Sequence, residues 1–199
     1  VATIPPASHG RMEPATILAP TLRDETLFRE VTNKFLKHPE RYSQASTVIA
    51  DLLNAIVAGL GLSRACINII NPQQSNLKVI QARGYDANHP LPNSSHQLAP
   101  NSLFLRLHEK SACILLNESN RQRLLKALPT SYRRHIGECD VLLMSIFAHN
   151  KPLAIIYADA AELSGGIQSF HQQKFKYLCA AAGACLQALT TQKSAGSRT

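Results

Sequence analysis

At 199 residues the chain is long enough for one domain with a substantial core. Its 45% hydrophobic and 17% charged residues exclude a disordered or fibrous polypeptide. The net charge of +8 raises a nucleic-acid reading. However, the basic clusters RQRLLK (Arg121, Arg123, Lys126) and YRRH (Arg133, Arg134, His135) come without a zinc-finger, homeodomain or RNA-binding signature, and they read as a solvated basic face.

The first twenty residues hold four prolines, and a helix cannot propagate through such a stretch, so residues 1–20 read as a linker or tail. Because the chain begins with Val1, the expectation is a C-terminal piece of a longer polypeptide whose remainder carries an output activity. Thr21 and Asp24 make a capping-box pattern ahead of Leu27, Phe28, Val31 and Phe35, and Pro39 ends that helix. A second helix begins near Ser43 with a wide apolar stripe from Val48 to Leu60, closed by Gly59 and Gly61.

RACINIINP and NLKVIQARGYD are β-rich runs joined by a turn, a first hairpin; Lys78 and Gln81 place its second strand near a sheet edge. The polar, Pro-punctuated stretch 86–100 is a long connection of the kind that is commonly functional. Asn101 caps SLFLRLHEK, ACILLN forms a short strand, and Ser119 with Gln122 caps a turn of helix that Pro129 stops. LLMSIFAHNKPLAIIYAD is a second hairpin. Ser169 with Gln172 opens a final helix in which Phe175, Leu178, Ala182, Cys185 and Leu189 form a heptad-like seam suited to packing on another helix. YLCAAAGACLQAL is the longest apolar stretch and falls short of the roughly 18 residues of a membrane span. With no secretory signal either, no membrane contact is expected and the expected compartment is the cytoplasm. The domain is expected to span residues 21–191, and 192–199 to form a disordered tail.

The closing hairpin is apolar on both sides, with Leu142, Met144 and Ile146 on one face and Leu143, Ser145 and Phe147 on the other, so it needs cover on both. The flanking helices supply one cover and only residues 86–137 remain for the other. The expected class is therefore α+β: a central antiparallel sheet of about five strands, with N- and C-terminal helices on one face and a lid of short helices and loops on the other. An apolar sheet under an irregular lid is a common way to build a small-molecule pocket.

Over residues 42–189 this arrangement resembles a GAF domain (GAF/PAS-like, α/β/α). ADLLNAIVAGLGLSRACINIINPQQSNLKVIQARGYD is similar to the family's opening helix, first two strands and following glycine; SLFLRLHEKSACILLN to its middle helix and the strand behind; LLMSIFAHNKPLAIIYAD to its closing hairpin. More narrowly, MSIFAHNKPLAIIYAD with FHQQKFKYLCAAAGACLQAL resembles the region C-terminal to HDOD domains in bacterial signalling proteins. The Asn-Lys-Phe-Asp-Glu signature of cyclic-nucleotide-binding members is absent, and no cysteine stands in a bilin-attaching context.

The resemblance implies a non-catalytic sensory domain that binds a small ligand or partner, dimerises through its flanking helices and acts on an N-terminal module outside this chain. The ligand's rim and floor are expected at Arg83, Tyr85, Phe104, His108, Met144 and Tyr157. Two alternatives stand beside it. Some GAF domains are free methionine sulfoxide reductases, for which Cys113 and Cys139 are the candidate thiols, although Glu138 and Asp140 flank Cys139 and oppose thiolate formation. The other is nucleic-acid binding through the basic clusters. The five cysteines form no CxxC pair, His89, His96, His108, His135, His149 and His171 have no ligand spacing, and neither P-loop, GxSxG nor GxGxxG occurs; no metal and no cofactor are expected.

Overall fold

The Asp24 side chain accepts the Leu27 amide at 2.9 Å and caps α1 (Glu25–Lys37), whose first turn would otherwise leave that donor unpaired. The computed structural model that shows this describes residues 22–92, 94–163 and 165–196, so Thr21, the 1–20 segment and residues 197–199 lie outside the described residues. Helix α2 (Ala45–Asn54) widens into a π-type turn over Ala55–Leu60 and ends at Gly61, whose φ of +91° a glycine adopts without strain. Gly59 in that turn lets the backbone of Phe28 approach within van der Waals distance, and its carbonyl accepts the Asp24 amide, so α1 lies against the end of α2.

Six strands form one antiparallel sheet in the order β3-β2-β1-β6-β5-β4. They are β1 (Arg64–Asn71), β2 (Asn76–Arg83), β3 (Ser95–Gln97), β4 (Cys113–Leu116), β5 (Val141–Ala148) and β6 (Lys151–Asp159). The sheet has one strand more than the expected five because His96 and its neighbours pair with Leu77 inside the stretch read as a plain connection. Three residues carry too short a pattern to register as a strand in sequence. Helices α3 (Leu103–Glu109), α4 (Arg121–Leu125) and α5 (Thr130–Ile136) make up the lid, and α6 (Ser169–Gly196) closes the chain. Pro129 was expected to stop a helix, but it stands at the start of α5, where its missing amide costs nothing. Ser102 rather than Asn101 caps α3, and α6 runs on past the expected end at 191.

The sheet divides two cores. On the helix side Phe28, Phe35, Val48, Leu52 and Ile56 meet Ile67, Leu142, Ile146 and Ile156 of the sheet and Phe175, Leu178 and Cys185 of α6. On the lid side Cys66, Leu77, Val79, Leu143, Ile155 and Tyr157 meet Phe104, Leu107, Leu116 and Tyr132. The seam predicted along α6 is spent in the first core; Phe175, Leu178, Ala182, Cys185 and Leu189 are all buried.

Gly84 follows β2 with φ +81°, and a side chain there would collide with the Ser63 carbonyl at the entry to β1. We expect Gly84→Ala to lower stability by about 1–3 kcal/mol, read from the urea midpoint, because both the backbone strain and the collision act on one residue.

Candidate functional site on the lid side

Period-two alternation sends Arg64, Cys66 and Asn68 of β1, and Tyr157 and Asp159 of β6, toward the lid. Arg64 and Asp159 face each other directly in the register. The Arg64 Nη2 lies 2.9 Å from Asp159 Oδ2, and Nε donates to both carboxylate oxygens at 3.0–3.1 Å. Asp159 is 0% exposed and also accepts the Tyr157 hydroxyl at 2.9 Å and the Ala161 amide at 3.3 Å. Burial pulls the Arg64 guanidinium down, but the bond to Asp159 and its charge outweigh that, so it is held above its usual range.

Rings pack over this pair. The Arg64 guanidinium sits 5.6 Å from the centre of the Tyr85 ring, Tyr85 meets His89 edge-on at 4.8 Å, and His89 meets His135 of α5 at 4.6 Å. Deeper in, Tyr132 touches Phe104 at 5.0 Å, Tyr157 at 5.2 Å and His96 at 5.4 Å, and its hydroxyl donates to the Asn68 side chain. The space between sheet and lid therefore holds a connected set of aromatic rings among its aliphatic residues. One polar atom there is unsatisfied: the Tyr85 hydroxyl is buried without a hydrogen bond, with only the weakly bonding Cys66 thiol close by. Burial, then the Cys66 and Asp159 charges, raise the Tyr85 phenol far above its usual range, so it stays a neutral donor.

Beside Arg64 a cleft of about 460 Å³ opens between α5 and the loop after β6, lined by Arg64, His135, Glu138, Cys139, Asp140 and Leu163 among others. Arg121 braces its rim by donating to the carbonyls of Gly137, Glu138 and Cys139 at 2.8–3.3 Å. That residue of the predicted basic face is thus spent internally, while Arg123, Lys126, Arg133 and Arg134 are exposed.

Of the six residues expected to line a ligand, the structure gathers Tyr85, Phe104 and Tyr157 on one side. Met144 is a correction: it pairs with Ile156 and is buried in the helix-side core, because it is one residue out of phase with Leu143, which pairs with Tyr157. Arg83 is exposed at the end of β2, and His108 is half-buried on α3; neither shares a ring contact or hydrogen bond with the Tyr85 cluster. Sequence reasoning missed Arg64, His89, Tyr132 and His135; opposite charges at the start of β1 and the end of β6 were the available signal. Cys113 packs against the helix-side core and Cys139 against the lid-side core, so the sheet separates the two candidate thiols. Burial pushes both up, Cys139 to about 11, which disfavours the thiolate that a reductase needs. Among the described residues no group of three or more His, Cys, Asp or Glu could hold a metal ion, and no helix is long and apolar enough to cross a membrane.

No family model matches the sequence, and no curated protein matches it. Solved structures do. The GAF domain/HD domain protein from Geobacter sulfurreducens superposes with a TM-score of 0.61 at 11% identity, over 78% of this chain and 99% of that one. The GAF domain of a phosphoenolpyruvate-protein phosphotransferase from Coxiella burnetii gives 0.61 at 11% identity, over 84% and 96%. A phycocyanobilin-bound GAF domain from a cyanobacterial phytochrome gives 0.61 at 12% identity, over 84% and 96%. The fold is that of GAF domains, an α+β architecture.

Two outcomes test the site's chemistry. Tyr85→Phe removes an unpaired hydroxyl and should leave stability unchanged or raise it by up to about 1 kcal/mol, whereas Tyr132→Phe strands Asn68 and should cost about 1–3 kcal/mol in chemical denaturation. His89, His96 and His171 are each lowered from the usual range, burial being the largest cause. The unfolded chain then takes up protons first on acidification, so stability should be full above pH ~6.5 and fall below it as the pH approaches the lowered values. The urea midpoint measured from pH 7.5 to 5 checks this, and His96→Gln should flatten part of the slope.

Proposed function

We propose that this chain is a non-catalytic regulatory GAF-type domain of a bacterial, cytoplasmic signal-transduction protein, of the kind found beside HDOD modules, with residues 21–191 as its folded unit. A small ligand or a partner acts on the lid, and the flanking helices pass the change to an attached output module. The Tyr85 hydroxyl carries this reading: among the described residues it is the buried side-chain polar atom left without a hydrogen bond, with only the Cys66 thiol beside it, so an incoming group can bond there without displacing a strong partner. Arg83 and His108 belong to the outer rim, and Phe104 and Tyr157 to the apolar floor. The fold shared with a chemotaxis protein segment and a phosphotransferase GAF domain supports a regulatory setting.

Dimerisation falls to the outer faces of α1 and α6, since the inner seam of α6 is consumed in the core. Tyr177 is 53% exposed, and Ala180, Ala184 and Ala188 follow it on the outer side with Gln187 between. Leu36 on α1 is also exposed.

Native mass spectrometry of protein purified from cells tests both halves. A mass excess that disappears on denaturation is the expected sign of a retained ligand, and Tyr85→Phe should reduce its occupancy by about 5–10-fold, the loss of one hydrogen bond. Sedimentation should show a dimer that Ala184→Glu dissociates. A monomer at high concentration would remove the helical dimer from the proposal.

A further inference from the structure

The helix side of the sheet is incompletely covered. Between α2, the C-terminal half of α6 and strands β1, β2 and β6 runs an apolar groove of about 230 Å³, lined by Ile49, Ile67, Ile69, Ile80, Leu153 and Leu189 among others. Ile69 and Ile80 are 41% and 42% exposed, two of the few large apolar side chains that the molecule leaves in water. The register of β1 and β2 shifts between Ile67 and Asn68, and Ile80 is the unpaired residue opposite that shift.

The charges around this groove are one-sided. Lys78 pairs directly with Ile69 in the register and so stands on the same face, and Lys151, which opens β6, pairs with Ala148, in phase with Ile146 of the helix-side core. His149 in the adjoining turn reaches the Thr190 and Thr191 hydroxyls at 3.4 Å, beside the groove's α6 wall. The strands and helices that line the groove contain two acidic residues, Asp159, fully buried against Arg64, and Asp51 of α2. Asp51 of α2 is held by Lys34 at 2.9 Å and by the Tyr42 hydroxyl at 2.7 Å. An apolar channel beside cationic side chains, with the neighbouring carboxylates already paired, selects an occupant with an apolar tail and an anionic head. Its size suits a single alkyl chain: about 230 Å³ is on the scale of roughly eight methylenes, at about the 30 Å³ that a water occupies in the liquid.

We propose that this groove binds a single-chain anionic amphiphile, a medium-chain carboxylate, with the tail along Ile69, Ile80 and Leu153 and the head between Lys78 and Lys151. The site lies on the opposite face of the sheet from Tyr85 and is independent of it. Occupation joins α2 and α6 to the first hairpin, so the same helices answer to both faces.

Calorimetric titration of the whole chain with sodium decanoate, below micelle formation, tests it. One decanoate per chain is expected. Along the series from hexanoate to dodecanoate the affinity should rise about fourfold per methylene until the groove is full and then level off. Ile69→Asp and Ile80→Asp replace exposed residues, so they should keep the fold by circular dichroism and abolish binding. The pair Lys78→Glu and Lys151→Glu should weaken decanoate at least tenfold while leaving decanol unchanged, and Tyr85→Phe should have no effect. The absence of saturable binding, binding that survives Ile80→Asp, or decanol binding as tightly as decanoate would each overturn the proposal. So would a dimer that Ile80→Asp dissociates and that excludes decanoate, since a second copy would then occupy the groove.

Discussion

Asp159 places a carboxylate where no water reaches it, and the surrounding structure is arranged to satisfy it. A buried charge with one donor missing is among the most destabilising defects a protein can carry. Here the donors come from three places: Arg64 on the neighbouring strand, Tyr157 on the same strand, and the backbone at Ala161 as the chain leaves the sheet toward α6. Arg64 then reaches on to the His135 carbonyl at the end of α5, at 3.5 Å, and lies against the Tyr85 ring. One ion pair therefore connects the sheet, the lid and the lead into the last helix.

Around that anchor the sheet acts as a partition. The helix-side core combines aliphatic residues with Phe28, Phe35, Tyr42 and Phe175 and has few polar groups, and Gly183 of α6 lies close against Ile146 and the Phe147 carbonyl. The lid-side core is built from aromatic rings and buried polar groups, among them Asn68, Tyr132, His96 and the unsatisfied Tyr85. Such a mixture differs from the other core in its bonding. Its packing is set in part by a few directional bonds that a competing group can replace, whereas a core poor in polar groups offers few bonds to exchange. The helices on the far side meet the same strands from behind, so a change in the lid that shifts β1, β5 or β6 reaches α6 without crossing a loop.

Particular residues show how far a sequence carries a site. Tyr85 and Tyr157 could be named because each ends or follows a strand beneath an obvious lid. Met144 could not be placed with them, although the alternation that puts it on the other face was visible in LLMSIF; which face the lid would cover depended on pairing Leu143 with Tyr157, a register that no local pattern specifies. Arg64 and Asp159 are 95 residues apart and meet because β1 and β6 are neighbours in a sheet whose order departs from chain order. His89 and His135 are in the same position: one lies on a connection, the other on a helix that followed a proline read as a stop.

What the sequence determined by itself was the set of elements with strong periodicity, α1 with its Asp24 cap, α2 with its closing Gly61, α6 and both hairpins, and the need for cover on both faces of the closing one. Those follow from local physics, the 3.6- and 2-residue repeats of apolar side chains and the few residues able to end a helix. Tertiary structure alone decided the third-strand edge, the division of Cys113 from Cys139, the burial of the α6 seam and the uncovered strip at Ile69 and Ile80. Each depends on strand order, register and how far two helices extend across six strands, and these are settled by contacts between residues that are distant along the chain.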